Sequence, residues 1–253
     1  MVTIKSKSEL EKMKFAGKVT YGALKAVKDA IRPGVTTAEL DRIAEAYITG
    51  QGCISSFKGY GGFPGSVCAS VNDVVIHGIP GNRVLCEGDI ISIDVGACYQ
   101  GYHGDACRTF GVGKISEEAE RLIAVTRESF FRGLAFAKDG YRISDISRRV
   151  QEYVEANGFS VLRDYCGHGI GAQLHEDPEV PNYVANMRGI RLRPGMTICI
   201  EPMICQGDHA YYVEDDDWTV RTCDGKLAAH YENTVLVTGS EPFLLTMPEG
   251  IEV

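Results

Sequence analysis

Four carboxylates, three of which follow or lie among apolar residues suited to a strand, are the residues of this chain best suited to chemistry. Asp94 and Asp105 lie in IISIDVGACYQGYHGDA, Glu201 lies in TICIEPM, and Glu232 lies in AAHYENTVLV. An ionised carboxylate in such surroundings is costly unless a metal ion or another partner offsets its charge. Four acids in one crevice would repel each other, and divalent cations relieve that repulsion. The acids therefore predict a metal centre, in which bridging carboxylates can hold two ions about 3.5–4 Å apart.

The first acid of each pair occupies a matching place in an internal repeat. At a constant offset of 107 residues, Leu85, Gly88, Ile93 and Asp94 match Leu192, Gly195, Ile200 and Glu201. At an offset of 106, Gly34, Leu40, Arg42, Tyr47 and Gly52 match Gly140, Ile146, Arg148, Tyr153 and Gly158. A surface salt bridge remains the alternative for any single acid, but acids repeated across two halves favour two half-sites that share one centre.

Two pairs of helices, each followed by strand-rich sequence, must position these acids. Capping boxes predict helix starts at Ser8 with Glu11 and at Thr36 with Glu39. A second pair is predicted from about residue 117 to 140 and from 144 to 158. Helices that group rather than alternate with strands favour an α+β fold. We expect one catalytic domain, residues 1–253, made of similar halves of about 1–113 and 114–253.

Two turns are predicted within the strand-rich parts. The segment GACYQGYHG between Asp94 and Asp105 reads as a tight hairpin that presents both acids to one face. Asp224-Gly225 is a hairpin-type dipeptide between two later strands.

Three of the six histidines are placed for coordination or substrate binding. His168 lies in GHGIG, where flanking glycines let the backbone approach a ligand closely. His175 follows seven residues later, and His77 lies in IHGIP at a strand end. Neutral imidazole completes a coordination sphere or donates a hydrogen bond to a substrate. The histidines interpreted as structural are His103, His209 and His230.

Composition excludes several other classes of function. The chain has 253 residues, 44% hydrophobic and 24% charged, which is typical of a globular protein, and a net charge of −8, which argues against nucleic-acid binding. No apolar run approaches ~18 residues, and the N-terminus lacks the apolar core of a signal peptide. Nine cysteines without a CxxC motif predict reduced thiols. A soluble, cytoplasmic protein without a membrane partner is expected.

The ordered motifs of the chain resemble a known family. SVCASVNDVVIHGIP, IDVGACYQGYHGDACRTF, GHGIGAQLHEDP, ICIEPM and YENTVLV resemble the type I methionine aminopeptidases, pita-bread metallopeptidases of family M24, in their short bacterial form. The resemblance covers essentially the whole chain. It implies two pseudo-symmetric halves with a mainly antiparallel curved sheet covered by helices. It also implies removal of the N-terminal methionine from nascent proteins when the second residue is small, by water activated at a dinuclear metal centre.

The resemblance also implies which residues hold the metals. Asp94 would chelate one ion, His168 and Glu201 would bind the other, and Asp105 and Glu232 would bridge them. Glu201 would also move a proton from the water to the leaving amine. The cofactors would be two divalent ions, for which Mn, Fe, Co and Zn remain open because one imidazole among four carboxylates suits each of them.

Substrate contacts follow from the same resemblance. His77 and His175 would hold the scissile peptide and stabilise the oxyanion. The methionine pocket would be walled by Tyr60, Phe63, Cys68 and Trp218, for which simple core packing is the alternative. Three positions depart from the family pattern around this pocket, namely Phe57, Gly61 and Leu174; the last two are expected to loosen it.

The expected partners are the N-termini of nascent polypeptides at the ribosome, and the expected state is a monomer. Two other functions remain open. One is a related metallopeptidase that cleaves before proline, and the other is a pita-bread binding module that has lost catalysis. Lost metal ligands would mark the module, and none is lost here.

Overall fold

Each of the two strand-rich parts of the described chain follows a pair of α-helices. The structure is a computed structural model that describes residues 2–184, 189–247 and 253. Helix α1 packs on α2, and α3 packs on α4. In the described part of the chain, none of these helices combines the length and apolar character needed to cross a bilayer. Their bounds are Lys7–Ala30 for α1, Thr37–Gly50 for α2, Glu117–Leu134 for α3 and Ile143–Ala156 for α4.

Helix α1 begins two residues earlier than its sequence predicts. Its N-cap is Ser6 instead of Ser8. The Ser6 hydroxyl accepts from the Glu9 N–H at 3.4 Å, and the Glu9 carboxylate accepts from the Ser6 N–H at 2.7 Å. Ser8 and Glu11 fit the same pattern, but Glu9 also accepts from the Tyr102 hydroxyl at 2.6 Å. This tertiary contact decides between the two starts, and the local sequence does not contain it.

The other helices lie close to their predicted positions. The capping box of Thr36 and Glu39 at the start of α2 is confirmed, and α4 begins one residue before its predicted start. Helix α3 ends at Leu134, several residues before the predicted end, and the chain continues in short turns. In these turns the Asp139 N–H bonds the Thr238 carbonyl, so a contact with the last strands replaces another helical turn.

The described strands form four sheets in which every pairing is antiparallel. The first sheet contains β1 (Ile54–Ser55), β2 (Val67–Val71), β4 (Ile90–Tyr99) and β5 (Tyr102–Gly111). The second contains β3 (Val74–Ile76), β11 (Tyr211–Val213) and β12 (Val220–Thr222). The third contains β6 (Ser160–Val161), β10 (Met203–Cys205) and β13 (Ala228–His230). The fourth contains β7 (Gly167–Gly169), β8 (Glu176–Val180), β9 (Thr197–Ile200), β14 (Asn233–Leu236) and β15 (Phe243–Leu244).

The α+β class and the antiparallel pairing are confirmed, but the turn at Asp224-Gly225 differs from its prediction. The strands that flank it, β12 and β13, do not pair with each other in the described structure. Strand β12 pairs with β11 and β3, and β13 pairs with β10. The dipeptide does form a turn, with Gly225 at a φ of 67°. The turn chemistry is therefore local, whereas the choice of strand partner is set by the sheets.

The offsets that align the two halves of the sequence also align local backbone geometry. Helices α2 and α4 lie 106 residues apart at both ends, and β4 and β9 begin 107 residues apart. Gly34 and Gly140 have φ angles of 91° and 88°, and Gly88 and Gly195 have 91° and 90°. These left-handed angles favour glycine, which explains why glycine occupies both members of each pair.

Each pair of helices packs against one face of a strand that leads to one of the acids. In β4, Ile93 and Val95 belong to the cluster under α1 and α2. In β9, Ile198 and Ile200 belong to the cluster under α3 and α4. Because successive side chains alternate between faces of a strand, Asp94 lies on the face of β4 opposite α1 and α2, where Ile90 at the start of the strand packs in a separate cluster with α3 and α4.

The close approach of α1 to the C-terminal strands predicts a measurable effect on stability. A Cβ on Gly17 would lie 2.2 Å from the Leu245 carbonyl oxygen, so Gly17→Ala forces backbone to move. We expect a loss of about 1–3 kcal/mol in unfolding free energy, as for other overpacked sites. Urea denaturation measures it. The matched control is Gly50→Ala, also helical, because nothing lies within 4 Å of the added Cβ. Equal urea midpoints for the two variants would contradict this account of the contact.

Candidate metal centre

One hairpin presents the first pair of acids to a common face. Gln100 and Gly101, between β4 and β5, have φ angles of 49° and 79°, as a two-residue type I′ turn requires. The register places Asp94 opposite Cys107, so Asp105, two residues before Cys107, lies on the same face as Asp94. The hairpin predicted from GACYQGYHG is confirmed.

Strands β9 and β14 bring the second pair of acids together. Asn233 pairs with Ile200, so Glu232 and Glu201 stand next to each other one step beyond the ladder. Pro202 follows Glu201 and has no N–H to donate, which ends β9 there. Strand β9 therefore ends just before Glu201, and β14 begins just after Glu232, so the two acids lie at the same end of this strand pair.

Backbone hydrogen bonds join the two halves at the acids. The Glu232 N–H donates to the Cys107 carbonyl at 2.9 Å, and the Cys107 N–H donates back at 3.3 Å. The Thr234 hydroxyl accepts from the Asp105 N–H and donates to the Asp105 carbonyl, each at 2.9 Å. Arg108 donates to the Glu232 carbonyl at 2.5 Å. The backbone groups of Asp105 and Glu232 are thus fixed relative to each other by backbone and side-chain hydrogen bonds.

His168 presents a lone pair to the acids. Its Nδ1 lies 2.9 Å from the Gly169 carbonyl oxygen. A carbonyl only accepts, so Nδ1 carries the proton and Nε2 is free to coordinate. Burial lowers the pKa of His168 to about 3, so the imidazole is neutral. Its Nε2 lies 3.6 Å from Glu201 Oε1, close to the separation of about 3.4 Å expected for two ligand atoms bound at ~2.1 Å to one ion.

The glycines beside His168 serve strand packing. A Cβ on Gly167 would lie 2.3 Å from the Cys199 carbonyl oxygen, and one on Gly169 would lie 2.1 Å from that of Asp177. These contacts give the glycines a role in packing, and the expectation that they also let the backbone approach a ligand stays a prediction. The glycines let β7 fit closely against its neighbours, and this packing holds His168 in place.

Some buried carboxylate oxygens of the four acids lack a hydrogen-bond partner among the described residues. Within the described structure, Asp94 Oδ1, Asp105 Oδ1 and Glu232 Oε1 are buried without a hydrogen-bond partner. Burial raises the pKa of Asp94 to about 6. Burial and the neighbouring carboxylates raise the pKa values of Asp105, Glu201 and Glu232 well above the usual range. A bound cation would both fill the unused acceptor positions and favour the ionised forms, so these residues fit a metal.

Two overlapping groups of side chains can hold an ion. Ligand atoms of Asp105, His168 and Glu232 lie within 4.8 Å of one another. The same holds for Glu201, His230 and Glu232. Glu232 belongs to both groups, which is the position that a bridging carboxylate must occupy.

The first group also includes the thiol of Cys199. Burial, followed by the charges of the surrounding acids, raises the pKa of this thiol well above its usual range. A thiol coordinates metals as its thiolate, so Cys199 is a poor ligand here. Its hydrogen bond to Glu232 favours the ionised form of that carboxylate.

His230 lies in the site although the sequence pattern leaves it among the structural histidines. Its Nε2 is 3.5 Å from Glu201 Oε2, and burial lowers its pKa to about 4. His230 is placed by the pairing of β13 with β10, where it lies opposite Met203. One signal was available in the sequence, because residues two apart on an extended chain share a face and His230 is two residues before Glu232.

A cavity of about 170 Å³ opens beside the acids. All four residues of the predicted methionine pocket line it, so the structure brings them together at the predicted metal site. Two positions that the sequence analysis names as departures around this pocket, Phe57 and Leu174, also line the cavity. Further lining residues were not predicted, although they lie in or next to a quoted motif; they include Ile76, Tyr165, Cys166 and Met203.

Both predicted substrate histidines also line this cavity. His77 follows β3 with a left-handed φ of 58° and lies edge-on to Tyr165 and Trp218 at 5.8 and 6.1 Å between ring centroids. His175 precedes β8, its ring is 4.1 Å from that of His168, and its Nδ1 is 2.7 Å from the Tyr60 hydroxyl. Desolvation lowers the pKa of His77 to about 4 and lowers that of His175, so both rings are neutral.

Comparison with known proteins places this arrangement in a family. The sequence profile of "Metallopeptidase family M24" matches residues 11–239. The chain is 55% identical over 247 residues to the methionine aminopeptidase of Clostridium perfringens, with 98% of this chain and 99% of that protein covered. It superposes on a methionine aminopeptidase from Thermotoga maritima with a TM-score of 0.95 at 45% identity, covering 97% and 99% of the two chains. On a prolidase from Pyrococcus furiosus the TM-score is 0.80 at 25% identity, covering 97% of this chain and 66% of the prolidase.

The buried acids predict how stability depends on pH in the metal-free protein. The pKa of Asp94 is raised from 3.8 to about 6 on folding, so between these values the folded state binds more protons than the unfolded state. The contribution of Asp94 to the unfolding free energy therefore falls as pH rises through this window, whereas the lowered pKa values of His77, His168 and His230 contribute in the opposite direction. In Asp94→Asn the Asp94 contribution is absent, so the slope of unfolding free energy against pH should be more positive than in the wild type by up to about 1.4 kcal/mol per pH unit. Urea denaturation with chelator at pH 4 to 7 measures both slopes, and identical slopes would contradict the shift.

Proposed function

The chain belongs to metallopeptidase family M24, among the methionine aminopeptidases, and we propose that its site removes N-terminal methionine with two divalent metal ions. It is a hydrolase of the metallo-exopeptidase type with the pita-bread fold. One observation carries the proposal for the site, namely that the buried acids without donors, the Nε2 of His168 and an apolar cavity lie together.

The proposed ligand set divides between the two ions. Asp94 would hold one ion, His168 and Glu201 would hold the other, and Asp105 and Glu232 would contribute to both. The shared position of Glu232 in both groups of ligand atoms supports the bridging role. Mn, Fe, Co and Zn all accept one imidazole among four carboxylates. When bound, the ions lower the pKa of water and polarise the scissile carbonyl.

Glu201 is proposed to move the proton. Its carboxylate accepts a proton from the attacking water and passes it to the leaving amine. The backbone that carries it is held just beyond β9, where Asn182 donates to the Glu201 carbonyl at 2.9 Å. His168 and His230 lie on either side of its two oxygens, at 3.6 and 3.5 Å. A carboxylate fixed in this way needs little rearrangement during transfer.

His77 and His175 are proposed to act on the peptide itself. Neutral imidazoles can donate a hydrogen bond to the scissile carbonyl and to the oxyanion that develops from it. The left-handed backbone of His77, which is strained for a residue other than glycine, aims the ring at the cavity. Neither residue belongs to the groups of candidate metal ligands found among the described residues.

The cavity suits an unbranched thioether. Trp218 lies edge-on to Phe63 at 5.1 Å between centroids, and Cys68 adds a polarisable sulfur. Aromatic rings and sulfur make favourable contacts with methionine. Phe63 and Cys68 are buried in the core as well as lining the cavity, so core packing and substrate binding are roles of the same residues.

We propose a single catalytic domain because both halves of the chain contribute ligands to one metal centre. One catalytic domain, with halves of about 1–113 and 114–253, places Asp94 and Asp105 in the first half and the remaining ligands in the second. The matched glycine angles support this division. We propose a cytoplasmic monomer that meets nascent N-termini at the ribosome.

The two alternatives have less support. Cleavage before proline rests on kinship with prolidases, and the prolidase compared is longer and much less similar than the methionine aminopeptidases. A module without catalysis would be expected to lose ligands, but the five metal positions and both substrate histidines are present and converge on one cavity.

Peptide cleavage tests the proposed function and its specificity. Met-Ala-Ser should be cleaved on the order of a hundredfold faster than Met-Leu-Ser, because the second residue lies near the crowded metal centre, where a small displacement is costly. Leu-Ala-Ser should be cleaved at a lower rate than Met-Ala-Ser. It should still be cleaved, because Gly61 and Leu174 are expected to loosen the methionine pocket enough to admit leucine. N-acetyl-Met-Ala-Ser tests the need for a free amine. Preference for Ala-Pro-Gly, or cleavage of the acetylated peptide, overturns the aminopeptidase proposal. Equal rates on the first two peptides overturn only the claim about the second residue.

Metal titration tests the bridging assignment. Asp105→Ala should weaken binding of both ions, because a bridging ligand serves both. Asp94→Ala is the matched control on the same hairpin and should spare the ion beside His168. Isothermal titration with Mn²⁺ gives both stoichiometries. A near-native stoichiometry in Asp105→Ala would rule out a bridge at that position.

A further inference from the structure

The hydroxyl of Tyr60 is bonded to the imidazole of His175. The Tyr60 hydroxyl oxygen and His175 Nδ1 are 2.7 Å apart, and the ring centroids are 5.1 Å apart. We propose that Tyr60 is a positioning residue that donates this hydrogen bond and so keeps the proton of His175 on Nε2. The proposal rests on the proposed function only for the task given to His175. It assigns to Tyr60 a role beyond that of a pocket wall.

The direction of the bond decides what His175 can do. In a neutral imidazole one ring nitrogen is a donor and the other an acceptor. If the tyrosine hydroxyl donates, Nδ1 accepts and Nε2–H can donate to a substrate carbonyl. If Nδ1–H donates to the tyrosine oxygen, Nε2 can only accept and offers nothing to an oxyanion. A donating Tyr60 is therefore the arrangement that fits a histidine acting on a carbonyl group.

The neighbouring histidine shows the opposite arrangement. The Nδ1–H of His168 donates to the Gly169 carbonyl at 2.9 Å, which leaves Nε2 as a lone-pair ligand. The rings of His168 and His175 lie only 4.1 Å apart in a T-shaped contact. Two adjacent imidazoles thus have different partners at Nδ1, a carbonyl for one and a hydroxyl for the other. The partner at Nδ1 sets which histidine can bind a metal and which can donate to substrate.

The loop that carries Tyr60 is held by its own backbone. The Tyr60 N–H donates to the Phe57 carbonyl at 2.8 Å, and the Phe63 N–H donates to the Tyr60 carbonyl at 2.9 Å. Gly59, at a φ of 88°, donates to the Phe63 carbonyl at 2.8 Å. Phe63 in turn contacts Trp218. One loop therefore both shapes the methionine pocket and orients His175, which couples side-chain recognition to carbonyl activation.

Removing the hydroxyl alone separates the two roles of Tyr60. Tyr60→Phe keeps the aromatic wall, so KM for Met-Ala-Ser should stay within about twofold, while kcat should fall on the order of tenfold, the scale of one hydrogen bond. Tyr212→Phe is the control, because Tyr212 is 48% exposed, comparable with 44% for Tyr60, and does not line the cavity. It should leave both constants unchanged. A rise in KM with an unchanged kcat in Tyr60→Phe overturns the proposal.

A double-mutant cycle tests whether Tyr60 acts through His175. In a His175→Ala background, Tyr60→Phe should lower the residual kcat by no more than about twofold, because its partner is gone. The same tenfold loss in both backgrounds would show that Tyr60 acts independently of His175 and would overturn the proposal.

A spectroscopic measurement decides the tautomer without an assay. In zinc-loaded protein labelled with ¹⁵N-histidine, His175 should show a protonated Nε2 and an unprotonated Nδ1, and Tyr60→Phe should shift both signals toward a mixture of tautomers. A protonated Nδ1 in the wild type, or unchanged signals in the variant, overturns the proposal. Wild-type protein that cleaves no methionyl peptide overturns the proposed function instead, and the His175 signals then still decide the direction of the bond.

Discussion

Repulsion among buried carboxylates is the constraint on which this structure depends. Asp105 and Glu232 are almost fully buried, and Asp94 and Glu201 face the same cavity. Burial raises the pKa values of Asp105 and Glu232 most, and the neighbouring carboxylates raise them further, so each acid adds to the free-energy cost of ionising the next. A hydrophobic core could not hold four such groups in place, since each would favour a position closer to water. The surrounding backbone must therefore fix them, and a cation must balance them.

The fold meets this requirement because one face of its strands is buried under helices and the opposite face carries the acids. The helices bury the isoleucine and valine side chains of β4 and β9 on one face. That burial provides the favourable free energy, of the order of 25 cal/mol per Å² of apolar surface. The opposite face is thereby free to carry Asp94 and Glu201. The paired N–H and C=O groups of Cys107 and Glu232 then link the halves at the acids themselves, so that neither half holds a complete site.

The elements that could be predicted from sequence are those set by local pattern. The matched acids, the capping box at Thr36 and the Asp94–Asp105 hairpin depend on neighbours in the chain, and the structure has them as expected. The α1 cap at Ser6 depends on Tyr102, which is 93 residues away from Glu9. His230 comes beside Glu201 through pairing of β13 with β10. Contacts of this kind produce no recognisable residue spacing in the sequence, because they form only when segments that are distant in the chain pack together.

Histidine is where this difference between local and distant information has chemical consequences. A sequence motif can place an imidazole at a site, as GHGIG and IHGIP do, but the nitrogen that carries the proton is set by a partner elsewhere. For His168 that partner is the adjacent carbonyl of Gly169, so its proposed role as a ligand is nearly a local property. For His175 the proposed partner is Tyr60, 115 residues earlier. On this proposal a substitution in the loop that carries Tyr60 alters carbonyl activation without changing an acid or a histidine, so the loop belongs to the proposed reacting site as much as the strands that carry the proposed metal ligands.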